Sequence, residues 1–252
     1  MRKIIFHFAI LLGLASAAFS QTNLGQGFIE KDSRQMLMVS TADWGKSNGQ
    51  LQRFERRSAA MPWQLMGSEI KVVLGRNGLG WGRGLHLANK AEPQKKEGDG
   101  KSPAGIFRLT SAFGFPPPEE MKFLKLPYLQ VTEALECVDD VKSARYNTIT
   151  DNTRILRPDW TSSEKMLSVG EPYRLGIVVD HNPARVAGRG SCIFIHIAKD
   201  DGSGTSGCTA MAKGDLEKVM AWLNLDAKPV LVQLPRGELE RLRSEWNLPA
   251  EK

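Results

Sequence analysis

The stretch FIHIAKDDGSGTSGCTAM, Phe194 to Met211, decides how this chain is read. It carries one of the four histidines and one of the three cysteines. An apolar, strand-like run delivers His196, a loop of small and polar residues follows from Lys199 to Gly207, and Cys208 stands at its end. If CIFIHI is a strand, His196 points to one face near the strand's end. The loop can then fold back and set Cys208 beside it. A thiol with an unperturbed pKa of ~8.5 is mostly protonated at neutral pH, and a nearby imidazole favours the thiolate. Cys208 is therefore read as a nucleophile, ionising below a free thiol, and His196 as its base. Gly207 lets backbone approach closely, and successive amides around Ser206 to Cys208 would form an oxyanion hole. The other reading is a core histidine and an ordinary buried cysteine.

Working outward, the flanking sequence is rich in short apolar runs with Gly, Pro, Asn or Asp at their ends, the pattern of strands. These are RQMLMVST (Arg34–Thr41), the hairpin pair GQLQRFERR and PWQLM, IKVVLG (Ile70–Gly75), GIFRLTSAFG, YRLGIVVDHN (Tyr173–Asn182), SCIFIHIA (Ser191–Ala198) and PVLVQLP (Pro229–Pro235). Gly78, Gly80, Gly82 and Gly84 read as a loose loop, and Pro116–Pro118 as a surface loop. Leu216, Val219, Met220 and Leu223 fall at helical spacing in DLEKVMAWL. Thr161 and Glu164 have the spacing of a capping box for a short helix through Leu167. GELERLRSEW reads as a polar, peripheral helix. Helices do not alternate with the strands, so a mainly β domain with a few helices is expected instead of a doubly wound parallel sheet.

The chain opens MRKIIFHFAILLGLASAAFSQ. Arg2 and Lys3 precede a short apolar core, and Ala15-Ser16-Ala17 and Ala18-Phe19-Ser20 fit a small-x-small cleavage site, as in a secretory signal peptide. The run is too short for a stable membrane span. The expected layout is a signal peptide over 1–20, an arm over 21–34, a catalytic domain over 35–235 and a C-terminal helix and tail over 236–252, with export to a bacterial periplasm. The 41% hydrophobic and 25% charged composition is that of a globular protein. Its 34 basic and 28 acidic residues leave a net charge of +6, spread too thinly for a nucleic-acid face. Three cysteines in an exported chain leave at least one unpaired. The economical split pairs Cys137 with Cys192 and leaves Cys208 free; the alternative keeps all three reduced.

Other motifs fail. GDGKS (Gly98–Ser102) ends like a phosphate-binding loop, but Lys95 occupies the place of its first glycine. GRNGLGWGRG contains no GxGxxG register. With no HExxH and no CxxC pair, no metal site is expected.

IHIAKDDGSGTSGCTAM resembles the active-site signature of the L,D-transpeptidase catalytic domain, the YkuD-type family, in which a histidine and a variable loop precede a Ser/Thr-x-Gly-Cys tetrad. His196, Thr205, Gly207 and Cys208 match it. EGDGKSPAGIFRL resembles the family's upstream Gly-rich segment, and YNTITDN, DW with SSEKM, and VVDHN resemble a branch with a longer insertion before the active site. The likeness runs from about Gln35 to Pro235. Ser206 stands where many members carry a histidine, and Thr209-Ala210-Met211 replaces the Asn or Arg that often follows the cysteine.

The resemblance implies a β-sandwich-like domain with the cysteine in a cleft and no cofactor. It implies attack by Cys208 on an amide of a peptidoglycan stem peptide, a thioester, and resolution by an amine. The work would belong to cell-wall biogenesis and cell shape. His196 would be the base, oriented by the backbone carbonyl of Ile197. Endings of the GC-x-AM kind also occur in a branch that includes hydrolases, so water is the alternative acceptor; a non-catalytic wall-binding module is the alternative from another class. Candidate substrate contacts are Arg189, for a carboxylate, and His181, Tyr146 and Trp160. The expected partners are stem peptides, with an activator protein left open, and neither nucleic acid nor a stably inserted membrane segment.

Overall fold

Strands buried on both faces have to lie between others. In this computed structural model β1 (Gln35–Thr41), buried at every position, meets that description, as does the equally buried run Val230–Pro235 near the C-terminus, which pairs with it in parallel. The structure describes residues 32–87 and 89–249; the expected signal peptide and most of the expected arm lie outside them.

On the other side of β1 lies β2 (Asn48–Glu55), which turns back into β3 (Gln64–Val73). PWQLM and IKVVLG, expected as two strands, thus become one, with Gly67 at φ +71° inside it. The glycine-rich loop contains a short strand, β4 (Leu79–Trp81), parallel to the first part of β5 (Ser102–Gly114). β6 (Tyr128–Gln130) pairs with the end of β5. The chain then leaves for a separate three-stranded antiparallel sheet, with β7 (Leu135–Val138) between β8 (Thr148–Asp151) and β9 (Ser163–Lys165). It returns through β10 (Leu175–Val179), β11 (Phe194–Ile197), β12 (Thr209–Met211), helix α1 (Lys213–Trp222), β13 (Val230–Pro235) and helix α2 (Arg236–Leu242).

β5 closes the main sheet. Its first half pairs with β13 and its second with β10, so the path β10-β11-β12-β3-β2-β1-β13-β5 folds back on itself. The result is the β-sandwich-like class expected. One large core fills it, with Met36, Leu37, Leu51, Ile106, Phe107 and Leu231 among its buried members. α1 contributes Leu216, Val219 and Met220, the stripe read from the sequence.

Two helix readings are corrected. Thr161 does not cap a helix: its N–H and hydroxyl both donate to Asp140, and Ser163–Lys165 pair with β7 as a strand. A four-residue pattern with no apolar stripe behind it loses to a ladder that satisfies its backbone. The C-terminal helix is not peripheral. Leu239, Leu242 and Trp246 are buried in the core, and Trp246 packs edge-on against Trp81 with ring centroids 6.5 Å apart. No helix among the described residues is long and apolar enough to cross a membrane.

Candidate active site

β11 and β12 run side by side in parallel, with His196 opposite Ala210. Cys208 immediately precedes β12, so this pairing brings it against β11. The Phe194 amide donates to the Cys208 sulfur at 3.3 Å, and the thiol faces the Cys192 carbonyl at 3.6 Å. The loop between them is pinned to the end of β3, where the Thr205 amide donates to the Leu74 carbonyl and the Arg76 amide to that of Thr205.

His196 is buried, and its Nδ1 lies 2.8 Å from the Ile197 carbonyl. A carbonyl can only accept, so Nδ1 carries the proton and Nε2 is left as the lone-pair nitrogen. Burial lowers the pKa of His196, opposed by that hydrogen bond and assisted by Lys199, which keeps the ring neutral. The Tyr173 ring packs against it at 5.4 Å. Glu164, Tyr173, His196, Lys199, Thr205 and Cys208 are among the residues that line one cleft of about 170 Å³.

The expected lowering of the thiol pKa is reversed. Burial pushes Cys208 up to about 12, with repulsion from Glu164 adding to it; the Phe194 amide, the Tyr173 hydroxyl and Lys95 pull the other way. The sulfur belongs to a small apolar cluster with Phe113, Met166, Tyr173 and Phe194. In this state the resting pair is a neutral thiol and a neutral imidazole, with no hydrogen bond joining them among the described residues.

The Cys208 carbonyl receives two hydroxyl donors, Thr205 Oγ1 at 2.6 Å and Ser102 Oγ at 3.0 Å. Thr205 Oγ1 also accepts from the Gly207 amide at 3.1 Å. Gly207 is therefore a support of the loop and not a free oxyanion donor; the amides of Ser206 and Cys208 have no partner among the described residues. A Cβ on Gly207 would lie 3.2 Å from the Lys101 carbonyl oxygen, so this position needs its close approach. Ser206 faces outward, its hydroxyl accepting from Arg76. Behind the loop, Lys95 is buried and salt-bridged to Asp99 at 2.6 Å.

Sequence reasoning did not single out Ser102, Tyr173 or Glu164. Ser102 sits in a segment the family likeness covers, but its contact with Cys208 spans 106 residues. Glu164 was hidden inside the mistaken capping box. β9 pairs with β7 so that Cys137 stands opposite Glu164. Its neighbours Ser163 and Lys165 both bond to Glu136, and alternation along the strand turns Glu164 to the other face, into the cleft. The Tyr173 hydroxyl is within hydrogen-bonding reach of both the Glu164 carboxyl and the Cys208 sulfur.

The remaining candidates do not line this cleft. His181 is fully enclosed: Nε2 meets the Arg189 carbonyl at 3.0 Å and Nδ1 accepts from the Arg83 amide at 3.4 Å, so neither nitrogen is free. Burial depresses its pKa to about 3. Arg189 thus enters through its backbone. The Tyr146 hydroxyl donates to Glu97, which also takes the Ser191 hydroxyl at 2.7 Å. Trp160 borders a separate depression with Glu136, Pro158 and Lys165. Cys137 and Cys192 form a disulfide, and Cys208 is a free thiol. Among the described residues no group of three or more His, Cys, Asp or Glu side chains is placed to hold a metal ion.

The family model of the L,D-transpeptidase catalytic domain, YkuD, matches residues 47–232. The chain belongs to that family. A solved structure, the helical cell shape determining protein Pgp2 from Campylobacter jejuni, is similar at 18% identity and a TM-score of 0.38; the match covers 80% of this chain and 48% of that one, so this chain spans about half that protein's length. No curated protein matches.

Proposed function

We propose that this protein is an exported cysteine acyltransferase that acts on peptidoglycan stem peptides as an L,D-transpeptidase, with Cys208 as nucleophile and His196 as general base. The observation that carries the reading is the His196–Ile197 hydrogen bond, which leaves Nε2 as the proton acceptor in the cleft that also holds the Cys208 thiol.

Because both groups rest neutral, the proton moves as the bond forms. Nε2 takes the thiol proton while sulfur attacks the amide carbonyl at the L-centre. The tetrahedral oxyanion is met by the amides of Ser206 and Cys208. Collapse breaks the C–N bond, and the imidazolium returns its proton to the departing amine of the terminal D-residue. The acceptor amine then attacks the thioester and gives its proton to His196; the C–S bond breaks, and His196 returns that proton to the departing Cys208 sulfur. Ser102 and Thr205 fix the Cys208 peptide plane from behind. Residues 1–20 act as the export signal, 21–34 as an arm, 35–235 as the catalytic domain and 236–252 as its C-terminal segment, and the site of action is the periplasm.

Mass spectrometry of purified wall fragments incubated with the protein tests this. New cross-links, absent with Cys208→Ala, are the expected result. Trimmed peptides without cross-links would give the acceptor's place to water, and full activity in Cys208→Ala would remove the thioester. Cell fractionation with N-terminal sequencing of the mature chain tests export.

A further inference from the structure

The cleft holds a carboxyl group that the acyl-transfer scheme does not use. Glu164 lines the same cavity as Cys208 and His196. It is delivered there by the separate three-stranded sheet, and the Cys137–Cys192 disulfide fastens that sheet to the residue whose carbonyl faces the thiol. Its placement is therefore built. Lys199 also lines the cavity, yet no ion pair joins it to Glu164 among the described residues. Lys165 next to it in sequence is turned away, onto Glu136.

An unpaired carboxylate beside a thiol works against catalysis, because it repels the thiolate. Here that repulsion is one of the causes that hold the Cys208 thiol high, and burial raises Glu164 itself to about 7. Both effects are relieved if a cation from outside lies against the carboxylate. From the cavity shared by Glu164 and Cys208 and from the absence of an ion-paired cation on Glu164 among the described residues, we infer that Glu164 is a specificity-determining residue that receives an ammonium group of the substrate. The inference deepens the proposed function and rests on it for the identity of the peptide. The ammonium can belong to a diamino residue of the stem peptide that is cleaved or to the amine that accepts the acyl group; the chemistry at Glu164 is the same. Binding of that group couples recognition to the thiol: the correct peptide neutralises the charge that holds the nucleophile back.

Two stem tetrapeptides serve as probes, one with a free side-chain amine at its third residue and one with that amine acetylated. Binding to Cys208→Ala is measured by calorimetry, and turnover of both peptides with wild type and Glu164→Gln by mass spectrometry. A charge-assisted hydrogen bond predicts that Cys208→Ala binds the free amine about 10–100-fold more tightly, and that Glu164→Gln removes this preference. That result assigns the ammonium to the cleaved peptide. If preference appears only in the rate of acyl transfer to added amines, and Glu164→Gln removes it, the ammonium is that of the acceptor. A separate readout is alkylation of Cys208 by neutral iodoacetamide, which Glu164→Gln should speed up at a given pH. Equal treatment of both peptides by wild type and Glu164→Gln, with turnover intact, overturns the inference and spares the thioester. Amine-dependent binding without any turnover does the reverse. Failure of both peptides to bind overturns both.

Discussion

Cys137 is bonded to Cys192 across 55 residues, and the Cys192 carbonyl lies 3.6 Å from the Cys208 sulfur. One covalent link thus joins the separate three-stranded sheet to the floor of the nucleophile's pocket. Cys192 sits at φ +55°, where a non-glycine residue persists only if its surroundings hold it, and its amide donates to Asn147 Oδ1 at 3.0 Å.

Breaking this link should loosen both walls of the cleft. Cys137→Ala with Cys192→Ala should lose ~2–4 kcal/mol of stability in denaturant titration, chiefly by freeing the unfolded chain. Thiol counting on unfolded, unreduced wild type should find one thiol. Three thiols would remove the bridge.

His196 and His181, both buried, should respond differently to glutamine. His196→Gln removes the imidazole acceptor nitrogen, and turnover should fall about 10²–10⁴-fold with the fold retained. His181→Gln breaks the contacts with Arg83 and Arg189 and should cost about 1–3 kcal/mol of stability while sparing the rate per folded molecule. Rates and denaturation midpoints of the pair separate the roles. Equal losses of turnover would mean that the base has been misassigned.

Much of this site could be read in the sequence because its parts are close along the chain. His196, Ile197, Thr205, Gly207 and Cys208 span one strand, one loop and the start of the next strand. What escaped depends on distant partners. Ser163–Lys165 is a strand only because β7 offers it a ladder, so Glu164 could not be placed from local spacing. Leu239 and Leu242 lie in α2 and Trp246 in the turn just beyond it, yet their polar neighbours hid a contact with Trp81, far back in the chain. The thiol was misjudged for a third reason. An imidazole nearby suggests a thiolate, but burial in a cluster with Phe113, Phe194 and Tyr173 favours the neutral thiol.

That last point has a direct consequence for reactivity. In the free protein, Cys208 alkylation by iodoacetamide should begin at a pH above that of an unhindered thiol, ~8.5, because the buried thiol resists ionisation. A rate profile against pH, read by intact mass, checks this. Onset well below 8.5 would restore a resting thiolate–imidazolium pair.

The loop behind the nucleophile makes its own prediction. Thr205→Val keeps the shape but removes the hydroxyl that both donates to the Cys208 carbonyl and accepts from the Gly207 amide. Turnover should fall while the alkylation profile of Cys208 keeps its midpoint, since the groups that set the thiol pKa are untouched. A shifted midpoint with unchanged turnover would assign Thr205 to the thiol's environment instead of to the backbone.

Glu164 should leave a mark on stability as well as on specificity. Its folded-state pKa is raised from 4.5 to about 7, by burial first and by Asp139 second, against the hydrogen bond from Tyr173. Below pH 4.5 the carboxyl is protonated in both folded and unfolded chains and costs nothing by ionisation. As pH rises towards 7, the unfolded chain gains by losing a proton that the folded chain still holds, so the folded state loses stability over that window. Above 7 the loss is complete and constant. Glu164→Gln has no proton to lose. Its melting temperature should therefore exceed that of wild type at pH 8, and the difference should shrink steadily as pH falls to 4.5. A difference independent of pH would mean that Glu164 ionises in the folded protein as it does in water, and that the carboxylate already has a partner before any substrate arrives.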